Sequence, residues 1–173
     1  SIPQDGTVYL YITHDGGISW SRQALPLPAG FAAYQYLPHA PVFFGQAGFL
    51  PLVIYMTDTT MFTFYRTSDG GLTWNGDPAD DTRVITPGLP AFADSMHAWS
   101  WDGGAVLYSS HDSAATWQNS IMTLDLTGRL AQLEFVPAAA GGFTGWALTS
   151  LDEAGNSQLY RTSDGVNWRS LVP

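Results

Sequence analysis

Cysteine and lysine are both absent from this 173-residue chain, and glutamate occurs only at Glu134 and Glu153. The first absence excludes a disulfide framework, a thiolate nucleophile and any cysteine-based zinc site. The second excludes Schiff-base chemistry. Cations of any kind are scarce: six arginines face fifteen acidic side chains, for a formal net charge of −9. Non-specific nucleic-acid binding and docking on an anionic leaflet both need clustered Lys and Arg, so neither is expected. Long hydrophobic runs are missing too. The stretch from Phe43 to Met56 is broken by Gly45, Gln46, Gly48 and Pro51, too short and too interrupted for a membrane-spanning helix. Helical patterning is nearly absent, and the segment Leu124 to Leu133 is cut by Gly128.

What the chain does have is apolar and aromatic mass. Hydrophobic residues make up 45% and aromatics 14%, against only 12% charged, so a sizeable core is expected rather than disorder. That mass is organised in repeats. Four segments share one frame: Tyr11-Ile12-Thr13-His14-Asp15-Gly16-Gly17-Ile18-Ser19-Trp20; Tyr65-Arg66-Thr67-Ser68-Asp69-Gly70-Gly71-Leu72-Thr73-Trp74; Tyr108-Ser109-Ser110-His111-Asp112-Ser113-Ala114-Ala115-Thr116-Trp117; and Tyr160-Arg161-Thr162-Ser163-Asp164-Gly165-Val166-Asn167-Trp168. In each, Tyr stands four residues before Asp and a hydroxyl residue two before it. The third copy lacks both glycines, and the fourth is one residue shorter.

Successive aspartates lie 54, 43 and 52 residues apart, too far for ankyrin or tetratricopeptide units and suited to a four-stranded sheet per repeat. An aromatic and β-branched run precedes each Asp, such as Val8 to Ile12 or Met61 to Tyr65, apolar on both faces as for a strand held between neighbouring sheets. The Asp can accept backbone N–H bonds across a tight turn, Gly supplies positive φ, and Trp packs back over the hairpin.

These segments resemble the Asp-box, or bacterial neuraminidase repeat, with the first two copies matching it most fully. The resemblance implies an all-β fold, a β-propeller of four-stranded antiparallel blades, as in sialidases, sortilin-type receptors, xyloglucanases and photosystem II stability/assembly-factor-like proteins. The phrase Phe135-Val136…Gly145-Trp146-Ala147 is similar to the last of these. It also implies that Asp15, Trp20, Asp69, Trp74, Asp112, Trp117, Asp164 and Trp168 are fold residues rather than catalytic ones.

On this reading residues 1–173 form a single propeller segment: a partial blade over 1–28, then blades over 29–88, 89–126 and 127–173. The first contributes only its two outer strands, near Val8 to Thr13 and Trp20 to Leu25. About three and a half blades and fourteen strands result, whereas closed rings have about four to eight blades. The expectation is a fragment or cleaved chain, the ring being completed by further chain or another subunit.

Catalytic readings find little support. A sialidase would need a converging arginine triad, yet Arg66 and Arg161 share one repeat register, leaving Arg22, Arg83, Arg129 and Arg169. A xyloglucanase-like glycosidase needs two carboxylates about 5–9.5 Å apart, and Asp94, Asp102, Asp125 and Asp152 cannot be ranked by sequence. Trp101, Tyr34 and Tyr36 could stack on sugar or fill core. The loop Asn75 to Thr82 gathers Asp77, Asp80 and Asp81, weak calcium candidates without the alternating acidic pattern of a calcium loop, and a solvated turn around Pro78 accounts for them. His14 and His111 occupy equivalent turn positions, while His39 and His97 show no partner at ligand spacing, so neither a metal site nor a cofactor is expected. No Gly-x-Ser-x-Gly elbow or phosphate loop is present.

The reading is therefore a non-catalytic binding or scaffold module, meeting a protein partner or a glycan, with no membrane insertion, and placed outside the cytoplasm. Loops around Phe43 to Phe49, Asp94 to His97 and Pro137 to Thr144 are the expected contact surface. The alternative is a portion of a carbohydrate-active enzyme of sialidase or xyloglucanase type.

Overall fold

A computed structural model describes residues 7–27, 31, 34–76, 88–101, 106–120, 130–139, 141–151 and 153–171. Every regular element among them is a β-strand, and the chain divides into two compact units, Ser1–Ile85 and Thr86–Pro173.

The first unit holds two sheets. Strands β1 (Thr7–Ile12) and β2 (Ser21–Pro26) form an antiparallel hairpin in unbroken register from Thr7↔Pro26 to Ile12↔Ser21. The second sheet is built on β5 (Ala47–Tyr55), which pairs along its length with β6 (Thr60–Thr67). Strand β5 is buried from Gly48 to Ile54, on both faces, which accounts for its near-continuous apolar sequence. Two short strands, β3 (Gln35–Pro38) and β4 (Val42–Phe44), share its other edge.

The interruption between β3 and β4 has a local cause. Residues 39–41 lie opposite Leu50 and Pro51, one residue too many for continuous pairing. Pro51 has no N–H to give a neighbouring strand, so the ladder breaks beside it while its carbonyl still accepts His39 N–H at 2.9 Å. This changes the expected layout of the second blade. Phe43 to Phe49 is a strand–turn–strand hairpin about Gly45 (φ 65°), not a loop. On the outer side, the described residues give a single bridge in place of a full fourth strand, with Arg66 and Asn75 exchanging N–H···O bonds of 2.8 Å. The described residues hold fourteen strands, the number expected, but one of them is the unexpected β4, while the outer strand expected for this sheet is represented among them only by that bridge.

The second unit contains two four-stranded antiparallel meanders. One runs β7 (Ala91–Phe92), β8 (Ala98–Trp101), β9 (Leu107–Ser110), β10 (Gln118–Asn119); the other runs β11 (Leu130–Pro137), β12 (Phe143–Thr149), β13 (Leu159–Thr162), β14 (Arg169–Ser170). The sequence pattern places strands over Leu130 to Val136, Gly145 to Ser150 and Gln158 to Ser163, and β11 to β13 fall within two residues of those bounds, with a register shift between Leu130 and Gln132.

Each unit has its own core. Val8, Leu25, Leu50, Leu52, Ile54, Tyr65 and Trp74 cluster in the first, with Tyr34 and Tyr36 packed against them. In the second, Ala93, Trp99 and Leu107 of one sheet meet Leu130, Ala147, Tyr160 and Trp168 of the next, with Trp101 packed against the cluster. The aromatics considered as sugar platforms thus pack against these cores. Hydrogen bonds tie the sheets of the first unit together: Gln23 Nε2 donates to Trp74 O at 2.9 Å, Trp74 N–H donates to Gln23 Oε1 at 3.2 Å, and the Tyr36 and Tyr65 hydroxyls donate to Thr7 O and Pro26 O at 3.3 and 2.9 Å.

Candidate functional site

The four repeats fold into four versions of one turn, which closes the hairpin between the last two strands of the first, third and fourth sheets and joins β6 to the Arg66–Asn75 bridge in the second. In the second, the Thr67 hydroxyl donates to Asp69 Oδ1 at 2.6 Å and accepts Gly71 N–H at 3.0 Å. Asp69 Oδ1 also accepts Thr73 N–H at 2.9 Å, while the Thr73 hydroxyl donates to Oδ2 at 2.6 Å. The first turn repeats this around Asp15, with Thr13, Gly17 and Ser19 as partners. In the third, Asp112 accepts from the Ser110 hydroxyl, Thr116 N–H and the Thr116 hydroxyl. In the shortened fourth, Asp164 accepts Val166 N–H, Asn167 N–H and the Asn167 amide.

Hydrogen bonding to the ionised form explains the acidity of these groups. The Ser19 hydroxyl leads in lowering Asp15 to about 2, and the Thr67 hydroxyl in lowering Asp69 to about 2. For Asp112, desolvation pushes upward but is outweighed by bonds from Thr116, Ser110 and Ala115, leaving about 2. The same balance holds Asp164 well below the usual carboxylate range, with Asn167 the strongest donor. A carboxylate so committed is a poor proton donor at neutral pH. Each is engaged by the hydroxyl and amide donors of its own turn.

The turn tryptophans differ in surroundings. Trp74 and Trp168 are buried, whereas Trp20 is 60% exposed. Trp20 and Trp168 each donate the indole N–H within the turn, to Gly17 O and Gly165 O, both at 3.2 Å. Trp117 is half-buried. The calcium candidates Asp77, Asp80 and Asp81 lie outside the described residues, as do Asp102, Asp125, Asp152, Arg83 and Arg129. Among the described residues, no group of three His, Asp or Glu side chains is placed to hold a metal ion.

All three segments expected to form a contact surface lie beside these turns, because in an antiparallel meander the first and third hairpins share one end. Gly70 N–H donates to Gln46 O at 2.9 Å, and Phe43 meets Trp74 edge-on at 5.7 Å. Ser113 N–H donates to Met96 O at 3.0 Å. The turn 137–144 is tightened by Ala138 N–H to Gly142 O at 3.1 Å and by positive φ at Gly141 and Gly142.

In the second unit two of these segments meet. Asp94 Oδ1 accepts Met96 N–H at 2.7 Å and His97 N–H at 2.8 Å, and His97 Nδ1 lies 2.9 Å from both carboxylate oxygens. Desolvation opposes ionisation of Asp94, but the Met96 and His97 bonds prevail and lower its pKa. His97 therefore has a partner, three residues upstream, that the sequence reading missed; an Asp before a turn followed at i+3 by His is the available signal. The His97 ring lies 5.3 Å from His111 and 6.1 Å from Phe143, and Met96 is 46% exposed beside it. Asp94, Met96, His97, His111 and Phe143 thus form one patch combining charge, imidazole and apolar surface.

Comparison with known protein families finds none that matches this chain, and no curated protein matches it. Among solved structures it is similar to one titled "YCF48 bound to D1 peptide", at 22% identity and a TM-score of 0.51. The match covers 94% of this chain and 47% of that one, so the chain spans less than half the length of this structural neighbour. Together with the antiparallel sheets and turns above, this likeness shows that the fold is an all-β propeller with a partial blade.

Proposed function

We propose that the chain is a non-catalytic, protein-binding propeller module of the Asp-box type, part of a ring completed by further chain or by another subunit. The observation that carries this reading is its likeness to a propeller whose structure holds a peptide. Two features of this chain agree with it. The four repeat aspartates are consumed by their own turns, and the patch of Asp94, Met96, His97, His111 and Phe143 presents hydrogen-bonding and apolar groups side by side on a rigid sheet end. Interfaces of this mixed character suit an extended peptide better than a small polar substrate.

The test is to screen the 173-residue protein against a peptide array and measure the best binder by calorimetry. The double substitution His97→Ala, Phe143→Ala is expected to weaken it about tenfold or more, which corresponds to roughly 1.4 kcal/mol. Unchanged affinity would remove the patch from the account. Turnover of a glycoside substrate by the same protein would replace the reading with an enzymatic one.

A further inference from the structure

One position recurs on the second, third and fourth sheets. It is the residue paired with the one just before the hydroxyl residue of the aspartate turn: Phe49 opposite Arg66, Trp99 opposite Ser109, and Trp146 opposite Arg161. A companion lies two residues upstream on the turn-bearing strand, namely Phe64, Leu107 and Leu159. Phe49, Phe64, Trp99 and Leu107 are all buried. Trp146 and Leu159 are only half-buried.

The second unit shows how this position is used. Trp99 is received by the fourth sheet, its ring stacked on Phe135 at 4.1 Å and 18°, and edge-on to Phe143 at 5.1 Å. Gly165, directly after the turn aspartate, completes the slot: a Cβ there would lie 2.1 Å from Trp99 Cζ2. Trp146 occupies the same register one sheet further on. It lines an open concavity of about 250 Å³ with Gln132, Glu134, Leu148 and Leu159, and the Arg161 guanidinium sits 5.4 Å from its ring.

We infer that the Trp146 face of the fourth sheet is a docking face for another sheet of the same repeat, one that offers a flat aromatic on its first strand and a glycine directly after its turn aspartate. This deepens the propeller reading above by naming the surface that continues the ring and the chemistry that fits it. The commitment to a sheet of this kind follows from continuity with the Trp99 contact, which has the same register and the same companion leucine. A second copy of the chain fits less well. Its first sheet supplies Gly16, but among the described residues it consists of β1 and β2 alone and brings no first-strand aromatic. The fourth sheet, by contrast, carries both halves of the contact, the receiver in Phe135 and Gly165 and the inserted ring in Trp146, so it is complementary to a duplicate of itself.

That duplicate is the probe. The protein is extended after Pro173 by a second copy of residues 127–173, and Trp146→Ala is made in both the extended and the original chain. In the extended chain the substitution is expected to lower Tm by roughly 10 °C, as loss of a buried indole does, and in the original by under about 3 °C. Iodide should quench Trp146 emission less in the extended protein. Replacing the Gly165 counterpart in the added copy by valine should abolish both differences while the original 173 residues keep their far-ultraviolet spectrum. Equal sensitivity to Trp146→Ala in the two chains would overturn the inference, as would an added copy that stays unfolded. A native mass showing dimers of the original chain that Trp146→Ala dissociates would also overturn it, in favour of a second copy. Peptide capture is read separately, so its failure would count against the proposed function and not against this docking face.

Discussion

The third and fourth aspartate turns carry out the same hydrogen bonding with different residues at the same place. Ser113 and Gly165 each follow the turn aspartate, and both have left-handed backbone, φ 62° and 75°. Ala114, next in the third turn, is also left-handed at φ 59°. Such conformations cost a non-glycine residue about 1–2 kcal/mol, so the third turn holds its shape against intrinsic preference. What holds it is the Asp112 network, with the Ser110 hydroxyl accepting Ala114 N–H at 3.0 Å. At Gly165 glycine serves a second purpose, since Trp99 lies where a side chain would be. Conformation and space, two reasons for glycine that are normally confounded, are separated between these two turns.

The largest break in this comparison is expected from Gly165→Ala. A methyl group there would collide with a buried indole as well as strain the backbone, and a loss of about 3 kcal/mol is expected in urea unfolding. Adding Trp99→Ala should give a double variant less destabilised than the sum of the two single changes, because the collision disappears with the ring. Next in size is Asp112→Ala, which releases the Thr116 and Ala115 amides and two hydroxyls; by analogy with a lost helix cap it should cost about 1–2 kcal/mol. Ser113→Gly should act in the opposite direction, stabilising by about 1 kcal/mol through relief of the left-handed strain. A loss of stability there would mean that the Ser113 hydroxyl, 3.3 Å from Met96 Sδ, matters more than the backbone.

Acid should act on the turns together. Their carboxylates have folded pKa values below the unfolded value of about 3.9, so the stability they contribute is complete above that value and is lost as pH falls toward about 2. Asp112→Asn removes one of them, and its acid transition between roughly pH 4 and pH 2 should be correspondingly shallower than that of the parent protein.

How far the sequence discloses this protein depends on whether a feature is local. The turns are fixed by residues within nine positions of one another, so the Tyr–hydroxyl–Asp–Trp frame locates all four, including the copy without glycine. The meander of β11 to β14 is similarly legible, because its alternation and turn residues lie along one short stretch. Features that depend on a distant partner are not. Trp20 and Trp74 stand in nearly identical motifs, yet one is 60% exposed and the other 4%, the difference coming from what packs over them. The break beside Pro51 depends on which strand pairs with β5 and in what register. Gly165 reads as a turn glycine, and only the arrival of Trp99 from another sheet shows that room is needed there as well. Of the candidate contact patch, the Asp94–His97 pair is visible at i,i+3 spacing, but its meeting with His111 and Phe143 is a product of folding.

The central claim is that the four repeat aspartates build the fold and perform no proton chemistry. The direct measurement is a carbon-13 nuclear magnetic resonance titration of the side-chain carboxyls in the intact protein. Asp15, Asp69 and Asp112 are expected to titrate at about 2 and Asp164 below the usual carboxylate range. Any of the four titrating above about 4, the ordinary value for an unencumbered aspartate, would contradict it.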